Sequence, residues 1–217
     1  MRMLANAETA TKMINTIAVN NYRSLLQLAI PLGRLNVITG PNGSGKSNLY
    51  RALRLLAEAA QGGVVNALAR EGGLDFTFWA GPESISLGMR KGNVPIQGGP
   101  RRDAARLRLG FAGDDFGYSI SLGFPQATSS AFRLDPEIKR ECIWAGPFYR
   151  PASVLVDRNG PGVKVRSGRS WNVLSQQINC FESLFGWLGD PGATPESYIL
   201  RETIRGWRFY DHFRTDA

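Results

Sequence analysis

Eight residues, from Gly40 to Ser47, constrain this chain more than any other part of its sequence. They read G-P-N-G-S-G-K-S and fill every fixed position of the phosphate-binding pattern G-x-x-x-x-G-K-[ST]. Glycines allow the backbone to curl so that its N–H groups point at an anion. Lys46 can reach the terminal phosphates of a nucleotide, and the hydroxyl of Ser47 can coordinate Mg²⁺. The pattern therefore predicts a P-loop that binds ATP or GTP together with Mg²⁺.

The segments on both sides of this loop match those expected around a P-loop, which has a strand before it and a helix after it. The segment 35–39 is short and rich in β-branched residues, which predicts a buried strand. After the loop, apolar residues recur at helical spacing, which predicts a helix whose N-terminal end faces the same anion. The predicted nucleotide-binding residues are Gly40, Pro41, Asn42, Gly43, Ser44, Gly45, Lys46, Ser47 and Asn48.

Composition narrows the class of protein further. The chain has 217 residues, 26 basic against 18 acidic, and a net charge of +8, so DNA is a plausible additional partner. The alternative is that the arginines simply cover a solvated surface. Two distant cysteines and one histidine argue against a zinc site. No apolar run approaches the roughly 18 residues of a membrane span. Residues 1–12 are predicted to form a polar tail without the hydrophobic core of a signal peptide. We therefore expect a cytoplasmic protein without a membrane partner.

The pattern of residues divides the chain into three parts after that tail. Residues 13–82 are predicted to form the P-loop core, which opens with two antiparallel strands. Residues 83–167 alternate between apolar and polar side chains and are predicted to form an antiparallel β lobe. Hairpin turns are expected at Asp114 and Asp115 and at residues 157–160. Residues 168–217 are predicted to be helical, with one helix beginning at Pro195.

The acidic pair that a P-loop hydrolase places at the end of a second buried strand has no recognisable counterpart. The segment 154–157, which ends in Asp157, is the nearest candidate, but it runs into Arg-Asn-Gly, which favours a hairpin turn. The segment 174–177 faintly resembles an L-S-G-G-Q element but lacks both glycines, so we expect it to begin a packed helix. Catalytic residues therefore stay unassigned. Either the chain is part of a longer protein, or it binds nucleotide without efficient hydrolysis.

A family resemblance rests on two motifs. Asn21-Tyr22-Arg23-Ser24 precedes G-P-N-G-S-G-K-S-N by about 20 residues, and this arrangement resembles the RecF/SMC/OLD-type branch of ABC-like ATPases. The segment from Trp207 to Asp216 is similar to one found near mid-chain in bacterial AAA ATPases of that branch. The resemblance implies an α/β P-loop NTPase fold, an incomplete ABC/RecF-like head with an inserted antiparallel β lobe and a C-terminal helical segment.

The resemblance also implies a mechanism. In such proteins two heads sandwich two ATP molecules, and each head completes the other's site with residues from its C-terminal half. Arg23 and Ser24 match family positions near the nucleotide, although a turn residue and a solvated arginine would also explain them. The glutamine that the family places near Mg²⁺ cannot be assigned here.

Four functions follow in order of preference. The first is the N-terminal part of a RecF/SMC-like ATPase that couples Mg-ATP binding and hydrolysis to dimerisation and to DNA repair, maintenance or defence. The second is a nucleotide-sensing module that does not hydrolyse ATP. The third is an ABC-transporter ATPase subunit, which the N-Y-R-S segment and Asn48 disfavour. A small-molecule kinase comes last.

Overall fold

A single antiparallel sheet of eight strands dominates the computed structural model, which describes residues 14–96, 105–126, 134–188, 192 and 194–211. The strand order is β2-β1-β3-β4-β5-β6-β7-β8, so consecutive strands lie side by side except β2 and β3, which are separated by β1. The strands are β1 Ile14–Tyr22, β2 Leu25–Pro31, β3 Leu107–Gly113, β4 Phe116–Gly123, β5 Glu137–Ala145, β6 Val154–Asn159, β7 Gly162–Ser167 and β8 Ser170–Ser175.

Helices cover one face of this sheet. They are α1 Lys46–Ala60, α2 Val64–Arg70, α3 Leu74–Thr77, α4 Leu87–Arg90, α5 Leu184–Trp187 and α6 Pro195–Arg205. Helix α1 buries Leu49, Leu55 and Leu56 in a hydrophobic core that it shares with the sheet and with α2, α5 and α6. No helix within the described ranges is long and apolar enough to cross a bilayer.

The opposite face of the sheet, which we call the open face, carries small and polar side chains. Because side chains alternate along a strand, the residues between core positions share this face. One row across the sheet pairs Ala18 with Gly110 and Gly110 with Ser119. The next row is Asn20, Arg108, Ser121, Arg140 and Asn159. A small apolar cluster of Ala112, Cys142, Trp144 and Val154 lies beside these rows, so the open face mixes polar and apolar side chains.

A buried ion pair fastens the sheet to the segment that follows it. Glu141 on β5 and Arg158 on β6 both point into the core, their side chains are 0% exposed, and Arg158 Nη1 donates to Glu141 Oε2 at 2.8 Å. Arg158 Nη2 also donates to the carbonyl of Asn179 at 2.8 Å, and Nη1 donates to the carbonyl of Glu182. Burial of two charges is tolerated here because their hydrogen-bonding groups find partners.

Several predicted elements are confirmed. The two opening strands form the pair β1–β2, and the hairpin at Asp114 and Asp115 joins β3 to β4. The predicted hairpin near residues 157–160 exists, but β6 extends to Asn159 and the turn falls at residues 160–161. Helix α6 begins at Pro195 as predicted. The domain limits stay a prediction, and the sheet runs continuously across the expected boundary at residue 82. The predicted tail at residues 1–12, and residues 212–216 of the late similarity segment, lie outside the described residues.

Two predictions are wrong. Residues 35–39 form no strand, and Leu35 and Val37 are 86% and 78% exposed. A buried strand needs a lateral partner, and no described segment pairs with these residues. Residues 170–175 are strand β8 rather than helix, because they pair with β7. Leu174 and Ser175 therefore end a strand instead of beginning a helix.

Candidate functional site: the phosphate loop

Glycine conformation shapes the loop between residue 40 and helix α1. Gly43 and Gly45 have φ angles of 81° and 97°, in the left-handed region that side-chain-bearing residues rarely adopt. At Gly45 the crowding is also steric, because an added Cβ would lie 2.8 Å from Ser24 Oγ and 3.1 Å from Leu25 Cδ2. Two of the motif's glycines are therefore required by the observed backbone.

The loop leads directly into the N-terminus of α1. Gly45 is the N-cap residue, no side chain caps the helix, and no acidic residue lies in its first turn. Among the described residues, the backbone N–H groups of Gly43, Gly45, Lys46 and Ser47 donate to no protein acceptor. Unpaired amides at a helix N-terminus create a partial positive charge, so this end of α1 is suited to bind an anion.

Lys46 adds a full positive charge to these amides. Its Nζ donates to the carbonyls of Gly40 at 2.5 Å and Pro41 at 2.8 Å, which holds the ammonium group over the loop. Residues 42–48 line a hollow of about 290 Å³. Of the sequence-predicted set, Asn42, Gly43, Ser44, Gly45, Lys46, Ser47 and Asn48 line this hollow, whereas Gly40 and Pro41 contact Lys46 through their carbonyls.

Of the two residues assigned by resemblance, Ser24 lies against the loop. Its Oγ accepts a hydrogen bond from Asn48 Nδ2 at 2.8 Å, which ties the β1–β2 turn to the first turn of α1. The same hydroxyl is the atom that excludes a side chain at Gly45. Ser24 therefore holds the loop in place, and direct contact with nucleotide stays a prediction.

Arg23 is directed elsewhere. Its Nε and Nη2 donate to Glu71 Oε2 at 3.1 Å and 2.7 Å, and its backbone N–H donates to the carbonyl of Thr77 at 2.7 Å. Tyr22 donates to the same carboxylate, and its pKa is raised by burial and by Glu71. The Arg23 side chain thus clamps the turn to the end of α2. Glu71 could not be found from the sequence, because no motif marks it.

The residues present suit a magnesium ion held mainly by a bound nucleotide. Ser47 provides a hydroxyl at the start of α1, and Mg²⁺ in such sites takes its other ligands from phosphates and water. The described residues contain no group of three or more His, Cys, Asp or Glu side chains that could hold a metal by itself.

The two acidic candidates considered from sequence have other partners. Asp157 lies on the open face, where Arg140 Nε is 3.0 Å and Lys164 Nζ 3.3 Å from its carboxylate oxygens. Asp114 accepts a hydrogen bond from Asn15 Nδ2 at 2.7 Å in the β3–β4 turn. Neither carboxylate contacts the phosphate loop.

The loop and the helix that it caps, packed beside the antiparallel sheet, form a site suited to bind phosphate. Residues 35–153 match the model of a family described as "AAA domain, putative AbiEii toxin, Type IV TA system". Because this match covers more than half of the chain, the protein belongs to that AAA-domain family, within the RecF/OLD-type branch of ABC-like ATPases. The resemblance stated from sequence is confirmed.

Three relatives show how far the similarity extends. The chain is 32% identical over 81 residues to the DNA replication and repair protein RecF of Idiomarina loihiensis, covering 36% of this chain and 23% of RecF. It is 43% identical over 44 residues to the OLD nuclease of Thermus scotoductus, covering 20% and 8% of the two chains. An uncharacterized protein of Methanocaldococcus jannaschii is 39% identical over 51 residues, covering 23% of each chain. The matched segments thus span less than a quarter of each relative.

Proposed function

We propose that this chain binds Mg-ATP at the phosphate loop and serves as the N-terminal part of a RecF/OLD-like ATPase that acts on DNA. The observation that carries the proposal is the set of four unpaired amides beside Lys46, on a loop whose backbone requires glycine at positions 43 and 45. The names of two relatives, a DNA replication and repair protein and a nuclease, support the link to DNA.

Each part of the loop has a role in this proposal. The amides of residues 43–47 and the charge of Lys46 bind the β- and γ-phosphates, and Ser47 shares Mg²⁺ with them. Asn48 and Ser24 keep the loop curled around the phosphates through their hydrogen bond. Arg23 is a positioning residue, because its ion pair with Glu71 fixes the turn that carries Ser24.

The exposed segment 35–38 fits a head that is completed by further polypeptide. Its apolar side chains directly precede the loop and are exposed to water. A run of exposed apolar side chains is typical of a surface that another polypeptide segment covers. We propose that ATP then joins two such heads, as the family resemblance implies. Sedimentation with and without Mg-ATP tests this step, and an unchanged mass would contradict ATP-dependent dimerisation of this chain.

Equilibrium titration with a fluorescent ATP analogue tests the nucleotide site itself. We expect Lys46→Ala to weaken binding by about a hundredfold, since the substitution removes a charge-assisted hydrogen bond to phosphate. Lys91→Ala, which removes an exposed lysine beyond the loop, is the matched control and should bind like the unaltered chain. Equal affinities for all three proteins would refute the assignment.

A nucleotide sensor without turnover is the second candidate, favoured by the engagement of Asp114 and Asp157 away from the loop. Phosphate release separates the two candidates. Tight binding without release supports a sensor, or an ATPase whose acidic catalyst comes from another segment. Release that Lys46→Ala abolishes shows that this chain contains its own catalyst.

A further inference from the structure

The open face of the sheet, opposite the helices that carry the phosphate loop, has a chemistry that the nucleotide site does not explain. Two neighbouring hollows of about 590 and 560 Å³ lie on it and share Arg108, Ser119, Trp144 and Tyr149. These are larger than the hollow at the phosphate loop. The open face thus offers more concave space than the phosphate loop does.

Positive charge predominates on this face. Arg106, Arg108, Lys139 and Arg140 line the second hollow. Within the described residues, Arg106 and Arg108 contact no carboxylate, so their guanidinium groups are available to an anion. Arg140 shares Asp157 with Lys164, while Lys139 pairs with Glu137.

Glycines on this face make room for larger side chains to lie against the sheet. Gly117 lies beneath the ring of Trp144, where an added Cβ would be 2.2 Å from the indole. Gly123 lies beneath Arg106, where an added Cβ would be 2.1 Å from the guanidinium. Bulky or charged groups thus lie flat against the sheet over these glycines.

Aromatic side chains lie beside the cations. Tyr149 packs edge-on against Trp144 with ring centroids 5.5 Å apart, and the adjacent Phe148 is 69% exposed. Trp144 is buried, yet its Nε1 has no hydrogen-bond partner among the described residues. Farther along the face, Trp171 lies between Lys164 and Arg166. A buried indole donor beside two hollows is a group that a ligand could satisfy.

We infer that the open face binds single-stranded nucleic acid, with Arg106, Arg108 and Arg140 contacting phosphates and the pair of Phe148 and Tyr149 stacking on bases. Guanidinium groups match phosphate oxygens geometrically, and exposed rings beside a basic groove accept bases of any sequence. An acidic polypeptide would use the charges but would leave the aromatic pair without a role. The inference deepens the proposed link to DNA and rests on it, but it does not depend on nucleotide binding.

The experiment measures the affinity of a fluorescein-labelled oligothymidylate by anisotropy at several salt concentrations. Arg108→Ala/Arg140→Ala should lower affinity about tenfold or more, and it should reduce the slope of log K against log salt by about 1.4, at roughly 0.7 for each phosphate that is no longer neutralised. Phe148→Ala should lower affinity about tenfold with the slope unchanged, because stacking is not a charge effect.

The matched control is Arg70→Ala/Arg205→Ala, which removes the same charge from exposed positions on helices α2 and α6. It should bind like the unaltered chain. Equally weakened binding in both double variants would overturn the inference, since net charge alone would then explain binding. Preference for duplex over single strand, or displacement by polyglutamate at equal charge concentration, would also overturn it.

Mg-ATP binding is measured on the same proteins to separate the two proposals. The Arg108→Ala/Arg140→Ala variant should keep the nucleotide affinity of the unaltered chain, which also shows that it is folded. Loss of oligonucleotide binding with retained ATP binding supports the open face as the site. Failure of the unaltered chain to bind oligonucleotide while it binds ATP would refute this inference and leave the nucleotide site standing.

Discussion

Replacing Glu141 by glutamine removes a buried negative charge while leaving the shape of the core unchanged. The carboxylate accepts from Tyr118 at 2.6 Å and Ser183 at 2.7 Å through Oε1, and from the Leu184 amide at 2.9 Å and Arg158 at 2.8 Å through Oε2. A glutamine can turn its NH₂ group toward the two hydroxyls, which are able to accept, and keep its oxygen toward the two N–H donors. The hydroxyl protons of Tyr118 and Ser183 then lose their carboxylate acceptor, and Arg158 loses its counter-charge.

The expected magnitude follows from the removal of that counter-charge. Removing one partner of a buried ion pair costs about 3–5 kcal/mol, because the other charge is left without compensation. Glu141→Gln should fall near about 3 kcal/mol, since the glutamine oxygen keeps its bonds from Arg158 and the Leu184 amide. Arg158→Met should fall near about 5 kcal/mol, because it also leaves the carbonyls of Gly160, Asn179 and Glu182 without their donors. The double variant should cost less than the sum, with a coupling of about 1–3 kcal/mol.

Urea unfolding at pH 7, followed by tryptophan fluorescence, measures these free energies. The matched control is Glu202→Gln, which breaks an exposed pair with Arg205 whose side chains are 43% and 54% exposed. That change should cost less than about 1 kcal/mol. A Glu141→Gln variant no less stable than the control, or additive effects in the double variant, would refute the reasoning.

Three further predictions concern the loop and the titrating groups. Gly45→Ala should weaken Mg-ATP binding more than tenfold and lower the free energy of unfolding by about 1–2 kcal/mol. Gly62 also has a left-handed backbone but has open space around it, so Gly62→Ala should lower stability without changing nucleotide binding. Equal nucleotide affinities of the two variants in titration would contradict this. Burial and the Glu141 charge raise the pKa of Tyr118, and burial raises that of Tyr22, so both phenols stay protonated when folded. The stability that the two protonated phenols confer is complete below pH 10, the approximate pKa of tyrosine in the unfolded chain, and falls above it by up to about 1.4 kcal/mol per pH unit for each group. Equal urea midpoints at pH 8 and pH 11 would refute this prediction. Burial, with a smaller contribution from the Asp157 charge, raises the pKa of Cys142 to about 12. Iodoacetamide at pH 8 should therefore label Cys142 only after the protein unfolds. Labelling of this thiol in the native protein would contradict its burial.

Local patterns predicted those parts of the fold whose partners are close in sequence. The β3–β4 hairpin follows from alternation around Asp114 and Asp115, and α1 follows from apolar spacing after the loop. The phosphate loop was predictable because its backbone demands glycine and its chemistry demands lysine and serine at fixed spacing.

The rest of the fold depends on contacts that no local pattern records. The segment 35–39 has the composition of a strand, but a strand needs a neighbouring strand to pair with. No strand among the described residues pairs with this segment. Glu141 and Arg158 are 17 residues apart and occupy core-facing positions where the pattern predicts apolar side chains. The ion pair of Arg23 with Glu71 joins a turn to a helix end 48 residues later.

Backbone amide NMR of the isotopically labelled chain, recorded with and without Mg-ATP, tests the central claim most directly. The account predicts that the amides of Gly43, Gly45, Lys46 and Ser47 shift together and saturably, and that Lys46→Ala removes these shifts. Nucleotide-dependent shifts confined to other parts of the chain, with these four amides unmoved, would contradict it.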